Sequence, residues 1–317
     1  MTSLWHYAFV QQALLAGAIT AILGGCVGPF VVARNMSFAV HGLAEVGFAG
    51  AAGAVLLGLP PAAGLLAAAF GAALVIGALG VRLRERDIAT GSVLAFGVGL
   101  GVLFITLSPR YLTEAYAILF GSILAVSRED VVRTAIVTAI ALAALAAVYR
   151  PLRFASIDPD VAEARGVPTR ALSIVFLLIL ALAVSEAIQV VGVLLILTLL
   201  IVPAGAARRL TVHPGLIVAC SVVIALAATV GGLIFAVDTS RPVSFFVSTF
   251  SFAAYLGARL IGPTLQGARR SAPATPAGQD SGISSDIAAG QTRVPQEPAG
   301  ASRAEVPARR GSASRHQ

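Results

Sequence analysis

RALSIVFLLILALAVSEAIQVVGVLLILTLLIVPAGA, from Arg170 to Ala206, is one long apolar block with few interruptions. A helix rises about 1.5 Å per residue, so a hydrocarbon core of about 30 Å takes roughly 20 residues. The block is nearly twice that length. It reads as two crossings, 170–187 and 188–206, divided where Glu186 and Gln189 break the apolar run. Working outward, seven further runs have the length of a crossing: 8–33, 38–58, 62–81, 88–107, 131–149, 214–237 and 242–262. A shorter run, 114–127, has only 14 residues and suits a re-entrant or interfacial helix. The expected fold class is all-α, a polytopic transmembrane helical bundle of eight or nine spans.

Composition agrees. Of 317 residues, 57% are apolar and 12% charged, with a mean hydropathy of +0.90. A soluble core of this length has no interior large enough for so much apolar surface, which excludes an aqueous enzyme. The 22 basic residues are all Arg. Without Lys there is no Walker A loop and no Schiff-base chemistry, so any ATP hydrolysis belongs to another chain. Cys26 and Cys220 stand alone in apolar stretches and read as small buried hydrophobes. Residues 1–7 carry no basic residue, and the run that follows is too long for a signal peptide, so it reads as a retained first span.

The net charge of +7 does not indicate nucleic acid, because most Arg residues lie in short gaps between apolar runs. With nine crossings, one side receives ten of them: Arg34, Arg82, Arg84, Arg86, Arg150, Arg153, Arg165, Arg170, Arg208 and Arg209. The other side receives four: Arg110, Arg128, Arg133 and Arg241. The positive-inside rule makes the first side cytoplasmic and places the N-terminus outside. Residues 1–265 form the expected membrane domain. Residues 266–317 are rich in Ala, Gly, Ser, Pro and Arg, and are expected to be a disordered cytoplasmic tail, in weak contact at most with anionic lipid.

Small residues punctuate the spans. Gly97 and Gly101 have the GxxxG spacing, and Gly42, Ala44, Gly47, Ala49, Gly50 and Gly53 crowd the second span. Such spacing lets helices approach closely and indicates a packed bundle without saying which one.

Within MSFAVHGLAEVGFAG, Met36 to Gly50, His41 and Glu45 are four residues apart and share a helix face. Ionisable residues inside spans usually face a pathway or one another. An imidazole and a carboxylate one turn apart can chelate a divalent ion. The alternative is an interfacial pair that only satisfies itself. His6, His213 and His316 fall in a terminus, a loop and the tail.

Between two spans, RPLRFASIDPDVAEARGVPTR, 150–170, is a polar loop. Asp158-Pro159-Asp160 predicts a helix start, and Gly166 with Pro168 beyond it a stop. The spacing predicts a capped helix of about two turns on the cytoplasmic side, carrying Asp160, Glu163 and Arg165.

Four strings in order resemble the integral-membrane permease family of metal-ion ABC importers, the zinc, manganese and iron uptake type. They are VARNMSFAVHGLAEVGFAGAAGA from Val32, YAILFGSILAVS from Tyr116, FASIDPDVAEARGVP from Phe154 and VVGVLLILTLLIVPAGAARRL from Val190. They span roughly 14–260. The resemblance implies that Asp158, Pro159, Asp160, Glu163, Arg165 and Gly166 form the cytoplasmic coupling helix that docks on a separate ATPase. It also aligns His41 and Glu45 with a GDALSHA-like string whose Asp and His serve metal passage. Here carboxylate and imidazole have exchanged order, and the acid is Glu.

The resemblance further implies a homodimer of permease subunits in the cytoplasmic membrane of a prokaryote, fed by an extracytoplasmic metal-binding protein. No cofactor is bound permanently; Zn²⁺, or Mn²⁺ or Fe²⁺, is the transported substrate. Two copies of His41 and Glu45 make a four-ligand set suited to tetrahedral Zn²⁺, whereas Mn²⁺ prefers more oxygen. Zinc is therefore the expected cargo. Two other expectations remain open: a permease for a chelate such as a siderophore or cobalamin, and a proton-coupled secondary carrier using Glu45. The first would not need the His41–Glu45 pair, and the second should show inverted repeats.

Overall fold

The computed structural model describes residues 7–80, 83–107, 118, 121, 126–239 and 241–270. Among these every regular element is helical. In chain order they are α1 (Ala8–Ala33), α2 (Ser37–Leu56), α3 (Pro61–Leu79), α4 (Leu83–Leu107), α5 (Arg128–Ile157), α6 (Pro159–Ala164), α7 (Thr169–Val191), α8 (Val193–Leu210), α9 (Pro214–Thr239) and α10 (Val243–Arg270). Eight of them are long and apolar enough to cross a membrane. The expected run at 114–127 falls almost wholly outside the described residues. By contacts the chain divides into two units, Met1–Ser271 and Ala272–Gln317; the second lies outside the described residues, and α10 continues to Arg270 before it.

The long block does divide, but at Gly192 rather than near Glu186. Gly192 has φ 86° and ψ 162°, a region open essentially to glycine alone, and it separates α7 from α8. Glu186 stays inside α7, 4% exposed, because its Oε1 accepts the Thr134 hydroxyl at 2.7 Å. A carboxyl group satisfied in this way gives the helix no reason to end. The loop expected from residue 150 also begins later. Helix α5 continues through Pro151 to Ile157, started by a capping box in which Ser127 and Asp130 exchange side-chain and backbone bonds.

Close approaches fix the relative directions. A methyl at Gly97 would stand 2.5 Å from Val46 Cγ2, and one at Gly101 would stand 3.5 Å from Ala49 Cβ, so α2 and α4 run parallel. The predicted GxxxG pair is thus the α4 side of this contact. On another face of α2, a methyl at Gly50 would meet the Gly64 carbonyl oxygen at 2.3 Å, with α3 antiparallel. Gly24 and Gly28 of α1 approach Leu199, Leu200 and Ala204, so α8 runs parallel to α1. Phe30 lies 5.6 Å from Tyr149 of α5 and 6.3 Å from Phe176 of α7 between ring centroids.

Near Phe30 the last turn of α1 meets the first turns of α7, since Arg34 Nη2 donates to Ser173 Oγ. The chain therefore reverses at Gly192, and α8 returns toward the end that gathers Arg34, Arg86, Arg153, Arg165, Arg170, Arg208 and Arg209. This grouping is the one the Arg counts assigned to the cytoplasm. The central core sits where α1, α5, α7 and α8 meet, with Phe176, Leu177, Leu180, Ile188 and Ile196 fully buried.

Candidate functional site

Helix α2 opens from a tight turn. Asn35, at φ 53°, is the non-glycine residue with positive φ among those described, and Met36 N–H donates to Val31 O at 2.9 Å. This closes α1 with a Schellman-type end in which Asn takes the left-handed position. The turn places Ser37 at the start of α2. His41 then lies about 6 Å, and Glu45 about 12 Å, along the axis from that end.

Both side chains are half-buried. At about 100° per residue they share a face turned away from α3, which meets Gly47 and Gly50, and adjacent to α4, which meets Gly42, Val46 and Ala49. No hydrogen bond or ion pair joins the two among the described residues. Among the described residues no three His, Cys, Asp or Glu side chains come together as a metal-binding group. One copy of the chain thus offers one nitrogen and one carboxylate here. A cavity of about 240 Å³ lies at the opposite end of the bundle, lined by Pro61, Leu65, Asp130, Arg133, Thr134 and Gln189, away from this pair.

The predicted loop helix is present as α6. Asp158 caps it, its Oδ1 accepting from Val161 N–H at 3.0 Å, and Pro159 takes the first helical position. Gly166, at φ 81°, ends it, with Val167 N–H donating to Ala162 O at 3.0 Å and Gly166 N–H to Glu163 O at 2.9 Å. Only Ala162 is buried; Asp158, Pro159, Asp160, Glu163, Arg165 and Gly166 are all exposed. Beside them Ile157 is 74% and Val161 44% exposed.

Sequence reasoning counted Arg34 and Arg86 only as topological charges. The structure ties them into one network. Arg86 Nη2 donates to the Arg34 carbonyl at 2.8 Å, and the Arg34 guanidinium, bonded to Ser173, lies 5.9 Å over the Phe176 ring. Burial, and then the nearby Arg86 charge, lower the Arg34 pKa to about 10, so it remains charged at neutral pH. Arg170 donates to the Ala78 carbonyl at 3.2 Å and ties the start of α7 to the end of α3. A sequence signal for these bonds is hard to find, since the partners are 52, 139 and 92 residues apart.

Comparison with known proteins bears on this geometry. The profile of the ABC 3 transport family matches residues 6–261. The "Manganese transport system membrane protein MntC" of Listeria monocytogenes is 32% identical over 212 residues, 67% of this chain and 75% of the relative. The "Manganese import system permease protein ScaB" of Streptococcus parasanguinis is 30% identical over 205 residues, 64% of this chain and 73% of the relative. Among solved structures, PsaBC from Streptococcus pneumoniae in complex with Fab superposes with a TM-score of 0.74 at 26% identity, covering 84% of this chain and 96% of that one. The apolar helices and these relatives make the protein a multi-pass component of a prokaryotic cell membrane and a transport permease subunit. The chain belongs to the ABC 3 transport family, as a metal ABC permease.

Proposed function

We propose that this chain forms the membrane path of an ATP-driven importer for a divalent transition metal ion, with manganese ahead of zinc as cargo. The observation that carries the reading is the half-buried His41–Glu45 pair one to two turns inside α2, which no hydrogen bond or ion pair closes among the described residues. An ionisable pair left half-exposed within a span is expected to face a pathway. Two donors hold a metal poorly, so the reading requires a second copy of the chain across a two-fold axis, giving two imidazoles and two carboxylates. Manganese is placed first because the relatives named above are described as manganese systems. Two carboxylates can also supply the extra oxygens that Mn²⁺ prefers. An extracytoplasmic binding protein delivers the ion. A separate ATPase docks on α6 through the exposed acids Asp160 and Glu163 and the apolar residues Ile157 and Val161.

The test is uptake of labelled manganese and zinc into vesicles holding the importer with its ATPase and binding protein. Manganese uptake is expected, and should be lost in both His41→Ala and Glu45→Ala while each variant inserts normally. Wild-type uptake in both variants would remove the pair from the path. Uptake of zinc alone would reverse the order of metals. Reversing the charge of Asp160 and Glu163 should weaken ATPase co-purification; unchanged association would move docking elsewhere.

A further inference from the structure

Four contacts connect the helix that follows α6 to the turn that carries the metal pair. Helix α7 begins at Thr169, directly after the α6 segment, and within its first two turns Ser173 accepts from Arg34 Nη2. The Arg34 N–H closes the last turn of α1 on the Phe30 carbonyl at 3.0 Å, and the Arg34 carbonyl accepts from Arg86 Nη2 at 2.8 Å. One turn along α4, the Arg86 carbonyl accepts from Thr90 Oγ1 at 2.7 Å, and Thr90 is 1% exposed. The Thr90 methyl Cγ2 stands 3.0 Å from where a Cβ on Gly42 would lie. Gly42 occupies the α2 turn between His41 and Glu45. A second, covalent link runs in parallel, because Arg34 leads through Asn35 and Met36 into the first residue of α2.

Both links start from Arg34, whose side chain follows α7 and whose carbonyl holds α4. Arg86 is 7% exposed and Arg34 half-buried; a charged donor bonded to a fixed acceptor is held in a defined geometry, and removing one partner leaves the other uncompensated. Movement of α6 and the start of α7 cannot leave Ser173 without breaking the Arg34 bond or carrying Arg34 along. Carrying it along shifts the α4 surface against the His41–Glu45 turn.

We propose that Arg34 and Arg86 are positioning residues that transmit displacement of the α6–α7 segment to the His41–Glu45 turn of α2, coupling ATPase docking to the exposure of the metal pair. The inference rests on the transport reading above. It commits to the α4 contact at Thr90 and Gly42 as the last step.

The test compares ATP hydrolysed per metal ion imported, in vesicles holding the whole importer. Arg86→Gln is expected to keep ATP hydrolysis near wild type while uptake falls, raising the ratio about tenfold, within the span of known coupling free energies. Arg86→Lys, which can still reach a carbonyl, should restore most of the coupling. Gly42→Ala, which strains the same contact from the α2 side, should raise the ratio too. A ratio unchanged in Arg86→Gln overturns the relay, whether both rates persist or both fall together, since a purely structural loss lowers them equally. If Arg86→Gln does not assemble, Ser173→Ala decides by the same ratio. Failure of the transport reading looks different: wild-type vesicles then import no metal on ATP, or import it undiminished when His41 and Glu45 are replaced.

Discussion

Glu186 and Glu45 both lie more than a turn inside long apolar helices, and the molecule treats them in opposite ways. Glu186 is 4% exposed in α7 and accepts the hydroxyl of Thr134, itself fully buried, at 2.7 Å. Glu45 is half-buried on α2, has His41 one turn away and is bonded to nothing among the described residues. By sequence Glu186 stands out as much as Glu45, as an acid in an apolar run. The difference is the surroundings. A polar group closed off with its partner stabilises packing, whereas one left open within a span is available to a ligand. An intramembrane acid is therefore a weak functional signal until its partner is known.

The sharpest way to break this contrast is to make the same isosteric change at both sites. Glu45→Gln should lower metal uptake by about 100-fold or more, at least what loss of an outer-shell partner can cost a metal site. Its thermal unfolding in detergent should not move. Glu186→Gln should leave uptake near wild type, because the amide oxygen still accepts from Thr134. Loss of uptake in Glu186→Gln with retained folding would make Glu186 part of the path and reverse the assignment.

A smaller effect tests the structural half. Thr134→Val keeps the shape of the side chain but leaves the buried Glu186 carboxyl without this donor, which should destabilise the protein by about 1–3 kcal/mol. The readout is the thermal midpoint, with uptake per folded molecule unchanged. No change in the midpoint would mean that Glu186 has another partner of equal worth. The smallest effect concerns neither acid. Removing residues beyond Arg270 should leave uptake and stability intact, since that stretch has no apolar face to pack and few acids to bind metal. A truncated chain that inserts but no longer transports would assign those residues a docking role.

Several features were legible from residue types at fixed spacing. The i, i+4 relation put His41 and Glu45 on one face, and the structure keeps them there. Asp158-Pro159 and Gly166 marked the ends of α6, because a cap, a fixed φ and a left-handed stop act within single residues and their neighbours. Gly97 and Gly101 marked the close side of α4, since only small residues admit Val46 and Ala49 at that distance. The break in the long block lies six residues beyond Glu186, because polarity in an apolar run does not by itself end a helix. The backbone instead turned at Gly192, where a dihedral only glycine adopts was needed, while Thr134 satisfied Glu186 from another helix.

Residue types and their spacing are enough to set the solvent of this protein, its helices, their alternating sense and the chemistry of its unusual pairs. Those follow from hydropathy over about 20 residues, from Arg placement and from local capping, all short-range or additive effects. Which polar groups are used up depends instead on how the helices pack. Thr134 reaches Glu186 across 52 residues, Arg86 reaches the Arg34 carbonyl across 52, and Arg34 reaches Ser173 across 139. In an apolar medium each such bond depends on a partner delivered by another helix, and helix packing is set by the summed fit of many small contacts. No spacing along the chain encodes that sum, so it separated the occupied Glu186 from the open His41–Glu45 pair only once the bundle was assembled.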